Sequence, residues 1–271
     1  TVAVIGAVGG YQWYTTHRPE AIVLVAAPAP QEKAFCLDAS GSVDADGHLS
    51  KVAAKAFTSS IGQLNGWQNV VPTDKPVEAI PQLNLQVRVI RADSYSTRTA
   101  AAYAEQYSIP ASGGISIAKP LSTDGTYKSW QAVYDQVTLD QQAARQAQED
   151  ATASIKQLLK ARSDGSDITG CVAASLDAAP VGATTNILIV SDLQDNALTT
   201  SSGGPREFTG DYSTARLSIV QACPSGVAAT CEKDATNFVA RMANLGVPES
   251  SITIVRPEQL NRAIDTWLAE A

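Results

Sequence analysis

Five short apolar runs, at residues 33–37 (KAFCL), 85–90 (LQVRVI), 186–190 (NILIV), 217–220 (LSIV) and 252–255 (ITIV), set the fold class, because segments of helical spacing lie among them. Apolar runs of this length, bounded by turn residues, read as strands. Residues 49–64 place Val52, Ala53, Ala56, Phe57, Ile61 and Leu64 close to a 3.6-residue period. Further helices are expected over 168–178, over 235–245, where Gly246 closes the segment, and over 257–269, where Pro257 opens it. Strands alternating with helices predict an α/β fold of three layers, a mostly parallel central sheet covered on both faces.

Between residues 129 and 162 no Gly or Pro interrupts, and apolar residues from Trp130 to Leu159 recur mostly three or four apart. This predicts a long, Ala-rich amphipathic helix inside an elaborated segment at about 96–162. Its C-terminal half is expected to pack on the sheet and its N-terminal half to project toward a partner. Shorter elements are expected at 21–27 (strand), 99–107 (helix) and 115–117 (strand).

The chain has 271 residues, 44% of them hydrophobic and 17% charged, enough for one large domain or two small ones. With 20 Lys and Arg against 27 Asp and Glu, and no basic cluster along the sequence, nucleic acid is excluded as a partner. His17 and His48 are the two histidines, so chemistry built on a histidine base has little material. No CxxC pair occurs among the four cysteines. Cys223 and Cys231 lie close enough for a local disulfide if the compartment is oxidising, a pairing the sequence leaves open. Cys36, inside a core strand, is expected as a small buried hydrophobe.

The first ten residues are apolar and uncharged and run into Tyr11, Trp13 and Tyr14 before Arg18. An apolar run closed by aromatics reads as the end of a membrane anchor at its interfacial belt, with a linker, over residues 1–20. It is shorter than the roughly 20 residues that span a bilayer, and a buried strand or tail is the alternative. The domain itself is expected over 21–271, on the extracytoplasmic side.

Where the first core strand ends, Asp38-Ala39-Ser40-Gly41-Ser42 sets one carboxylate and two hydroxyls on alternating positions. Ser166 lies in Gly165-Ser166-Asp167-Ile168, which opens a helix, and Asp192 follows the most strand-like run in ILIVSDLQD. In an open α/β sheet such strand ends border one crevice, so five oxygen donors can share an edge. Hard oxygen donors suit Mg²⁺ or Mn²⁺, with Ca²⁺ also admitted.

In order and context these three elements resemble the metal-ion-dependent adhesion site of the von Willebrand factor type A domain family. The resemblance covers roughly residues 33–271 and departs from the family pattern in having Ser166 where Thr is usual. It implies a Rossmann-like type A fold and a cation held by Asp38, Ser40, Ser42, Ser166 and Asp192. It also implies an open coordination position for an acidic side chain of a protein partner, and no enzymatic activity. Asp44 and Asp46 are expected as loop or capping residues rather than ligands of a second ion, and Asp195 as the acceptor of a local turn bond.

Two other functions compete. One is a structural subunit of a membrane or envelope complex that uses the long helix for contacts, with an incidental metal site. The other is a haloacid-dehalogenase-like phosphatase with Asp38 as nucleophile. That chemistry wants a second acid two residues on, where this chain has Ser40.

Overall fold

The computed structural model describes residues 23–43, 48–63, 70–96, 102–121, 125–162, 165–195, 208, 212–223 and 227–270. The membrane-anchor expectation for residues 1–20, and Asp44 and Asp46, lie outside them. The central sheet contains β2 (Gln31–Asp38), β3 (Leu83–Ile90), β4 (Ala104–Ile109), β6 (Thr185–Ser191), β7 (Ala215–Gln221) and β8 (Ile252–Val255), in the spatial order β4-β3-β2-β6-β7-β8. Strands β3, β2, β6, β7 and β8 run parallel, whereas β4 pairs antiparallel with β3 at the edge. Central β6 is buried at every residue, which is why it reads as an unbroken apolar run instead of an alternating one.

Alternation along β2 sends side chains to two cores. Phe35 and Leu37 join Phe57 and Ile61 of α1 (Leu49–Gly62), Ala151 and Ile155 of α2 (Gly125–Leu158), and Ile264 and Trp267 of α5 (Leu260–Ala269). The Phe35 and Phe57 rings stack with centroids 3.9 Å apart. Ala34 and Cys36 face α3 (Ile168–Asp177) and α4 (Ala228–Asn244) through Val172, Phe238 and Met242. The result is the expected three-layer α/β architecture, Rossmann-like and compatible with a type A domain. Among the described residues no helix is long and apolar enough to cross a membrane.

Three local expectations change. Of the helix expected over 99–107, residues 102–103 are helical and 99–101 lie outside the described residues, but from Ala104 the chain forms edge strand β4, in register with β3 through Leu85 and Tyr107. Tertiary pairing decides a stretch whose own propensity is weak, and its polar Glu105, Gln106 and Ser108 suit an edge. The long helix starts at Gly125 and ends at Leu158. Its N-terminal half does not stand free: Trp130 and Val137 pack with Val23, Val71, Val77 and Ile115. That cluster sits beneath a two-stranded sheet of β1 (Leu24–Val25) and β5 (Gly114–Ile115), shorter strands than expected.

Lys33 is 1% exposed within β2. Its Nζ donates to the carbonyl of Trp267 at 2.6 Å and to that of Glu270, at the C-terminal end of α5 where a cation is favoured. Burial nevertheless pulls its pKa down to about 8, against the opposing attraction of Glu270. Between about pH 8 and its ordinary 10.5 the unfolded chain keeps a proton that the folded chain has lost. Lys33 therefore makes the fold more stable as pH rises through that window. Denaturant titrations across the window should show this rise in the wild type and its loss in Lys33→Met. A Lys33→Met profile parallel to the wild type would refute it.

Candidate metal centre

Counted in chain order, the six strands of the large sheet stand 3-2-1-4-5-6, the doubly wound order with its switch point between β2 and β6. From β2 the chain winds to one side and from β6 to the other, leaving a crevice beyond the carboxyl ends of both. Asp38 is the last residue of β2 and Ser191 the last of β6, with Asp192 next. The topology thus brings two of the three sequence elements to the crevice.

Asp38 is fully buried. Its Oδ1 accepts the backbone N–H of Ser40 at 3.0 Å and its Oδ2 the hydroxyl of Ser191 at 2.8 Å. The Ser40 and Ser42 hydroxyl oxygens lie 3.1 Å apart. Burial raises the Asp38 carboxyl above the usual range, and hydrogen bonds from Ser40, Ser191 and Ser166 only partly offset it. Ser166, itself 1% exposed, is thereby joined to the same carboxylate.

Asp192 is 3% exposed. Its Oδ1 accepts the Gln194 N–H at 3.0 Å, while its Oδ2 is buried and has no hydrogen-bond partner among the described residues. Ser191, which sequence reasoning passed over, donates to Asp38 and accepts the Leu193 N–H at 3.0 Å, fixing the turn that carries Asp192. Leu193 in that turn has φ 65°, and His48, which caps α1, has φ 58°. These are the non-glycine residues with left-handed backbone among those described, and they flank the loops of this edge.

The Ser166 loop is clamped through Asp167, which is fully buried. Its Oδ1 accepts the Gly170 N–H at 2.8 Å as the cap of α3, and its Oδ2 the Ser94 N–H at 2.8 Å. A Cβ on Gly170 would lie 2.1 Å from Asp167 Oδ2, so this cap requires glycine. Asp195 does more than close a local turn. Its Oδ2 accepts the N–H and hydroxyl of Thr169 at 3.1 and 2.6 Å and pairs with Arg241 at 2.8 Å, fastening the loop after β6 to α3 and α4.

Cys36 is not a lone buried hydrophobe. It is bonded to Cys171 across 135 residues, tying β2 just before Asp38 to α3 just after Ser166. Cys223 and Cys231 form the second disulfide, the pairing the sequence left open.

Among the described residues no group of three or more His, Cys, Asp or Glu is placed to hold a metal ion. The candidate donors are two carboxylates, Asp38 and Asp192, and three hydroxyls, Ser40, Ser42 and Ser166. Such a set fits a hard divalent cation, because hydroxyl and carboxylate oxygens are what Mg²⁺, Mn²⁺ and Ca²⁺ prefer. The unpartnered Asp192 oxygen fits as well, since a buried acceptor left without a donor is costly and a cation would satisfy it.

No family model matches the chain, and no curated protein matches it. Among solved structures it is similar to BatB, a conserved hypothetical protein of Bacteroides thetaiotaomicron, at 10% identity and a TM-score of 0.39, covering 89% of this chain and all of that one. It is similar at 12% identity, with the same TM-score and coverage, to an aerotolerance-related membrane protein of Bacteroides fragilis NCTC 9343 carrying multiple mutations to serine. Likenesses at that TM-score carry no argument about function.

Proposed function

We propose that this chain is a non-catalytic protein-binding module of the type A domain kind, in which a divalent cation on Asp38, Ser40, Ser42, Ser166 and Asp192 takes an acidic side chain from a protein partner. The observation that carries this is the buried, unpartnered Oδ2 of Asp192 at the switch point, with the hydroxyl pair of Ser40 and Ser42 following the end of neighbouring β2. Two carboxylates would balance the charge of one divalent ion, and hydroxyl ligands add none. A third carboxylate, brought by the partner, would complete the sphere and make affinity depend on the ion.

A phosphatase reading is disfavoured by the same geometry. Asp38 is fully buried, so its carboxylate is not open to the in-line approach of a phosphate ester, whereas each oxygen accepts one hydrogen bond and keeps a second lone pair for an ion. Water-proton relaxation of Mn²⁺ should report a bound ion in the wild type, and Ser40→Ala/Ser42→Ala should weaken it by about tenfold or more, about 1.4 kcal/mol. Added glutarate should tighten Mn²⁺ binding, since coupling between two ligands is reciprocal. Equal Mn²⁺ binding by the two proteins would overturn the metal assignment.

The module would sit on the extracytoplasmic face of a membrane, held by the apolar segment at residues 1–10. Two disulfides among four cysteines support an oxidising compartment. Maleimide labelling of the denatured protein, taken directly from its native cells, should find no free thiol. Labelling of Cys36 or Cys171 would count against that location.

A further inference from the structure

Along the sequence there is no basic cluster, yet the fold assembles one. A groove of about 810 Å³ lies between α1 and the end of α2, and it is lined by Lys51 and Lys55 from α1 and by Lys156, Lys160 and Arg162 from the other side. These are five of the chain's 20 Lys and Arg, in a protein of net charge −7, and no described residue lining the groove is Asp or Glu. All five are exposed. Lys160 Nζ donates to Gln157 at 2.8 Å, and Ser50 is one of the partners of Arg162, at 3.5 Å from Nη1. The dipole at the end of α2 accounts for cations in its last turn but not for two more facing them from α1. Like charges converging on a concave surface repel one another and focus a positive potential into it, an arrangement that an anionic ligand relieves.

The groove reaches toward the candidate metal centre at Ala39, which lines it and stands between Asp38 and Ser40 in the chain. We propose that it takes an acidic peptide segment of the partner, the residues adjoining the one whose carboxylate reaches the cation. The charges are dispersed over two elements and four of them are lysines, which act as point charges on a chain of separate carboxylates. A single phosphate would be met by a converging fork. The occupant's identity rests on the metal-docking reading, but the groove's charge does not, and the two can fail separately.

The probe is a fluorescent octaglutamate peptide, titrated at about 0.15 M salt where the screening length is ~8 Å. Wild-type protein should bind it in EDTA and more tightly in Mg²⁺. Lys51→Glu/Lys55→Glu, at exposed positions that leave folding intact, should weaken binding about tenfold in both conditions while Mn²⁺ relaxation stays as in the wild type. Ser40→Ala/Ser42→Ala should lose only the gain brought by Mg²⁺. If the lysine variant bound the peptide as the wild type does, the groove proposal would fall and the metal reading would stand. If the serine variant kept the Mg²⁺ gain while the lysine variant lost binding, the metal reading would fall instead. Lysine-dependent binding to phosphatidylglycerol vesicles, without binding to the peptide, would overturn the proposal in favour of a lipid surface.

Discussion

Replacing Cys36 and Cys171 together by alanine is expected to destabilise the protein by about 4 kcal/mol. The bond closes a loop of 135 residues, and on the chain-entropy account a crosslink of that span constrains the unfolded state by up to ~5 kcal/mol. Both cysteines are fully buried, so truncation also removes packing from the core between β2 and α3. For a chain of this size the loss corresponds to a fall in melting temperature of about 10 °C. The bond between Cys223 and Cys231 spans eight residues, and its removal should cost less, about 2.5 kcal/mol on the same account. Guanidinium titrations of the two double variants test the ordering. If loss of the Cys223 bond proved the more damaging, loop closure would not be the source of the stability. The longer bond has a second consequence, because it joins the strand that ends in Asp38 to the helix that follows Ser166. Its loss should therefore weaken Mn²⁺ binding as well, whereas loss of the Cys223 bond should not.

That bond marks the boundary of what the sequence discloses. The central strands were legible because strands buried on both faces are written as unbroken apolar runs, and two of the candidate site's three elements could be placed because they follow the ends of those runs. Cys36 and Cys171 stand 135 residues apart, and nothing local distinguishes either from a small core residue. Lys33 sits in a strand that reads as apolar, and only the carbonyls at the end of α5 explain why a cation is buried there. Strand β4 takes its conformation from β3, and Asp195 takes its partners from α3 and α4, so both depend on contacts distant in the chain. Ser191 was visible beside Asp192, but its double role follows from the switch-point geometry and not from residue type. The cationic groove is the extreme case. Lys51 and Lys55 lie about a hundred residues from Lys156, and each group alone is an ordinary solvated helix face.

Asp38→Asn is expected to make the cation-free protein more stable and the cation-loaded protein less stable than the wild type. The Asp38 carboxyl is held above its usual range because burial outweighs the hydrogen bonds it receives, so its charge opposes folding when no cation is near. Asparagine is nearly the same shape. Its carbonyl can keep the Ser40 N–H, and its amide can donate to the Ser191 hydroxyl, which has a second lone pair beyond the one facing Leu193. Removing the charge should then stabilise the fold by about 1 kcal/mol in EDTA, a rise of about 2–4 °C. With Mg²⁺ at a hundred times its dissociation constant the wild type should gain about 2.7 kcal/mol, whereas Asp38→Asn, short of one of two carboxylates, should gain little. The melting curves of the two proteins should therefore exchange order between EDTA and Mg²⁺. A variant less stable than wild type in EDTA would mean that the carboxylate serves the fold itself. A variant that kept the full Mg²⁺ shift would remove Asp38 from the cation's surroundings. The exchange of order would instead mean that this strand end carries a buried charge at a cost in stability, a cost that a cation offsets.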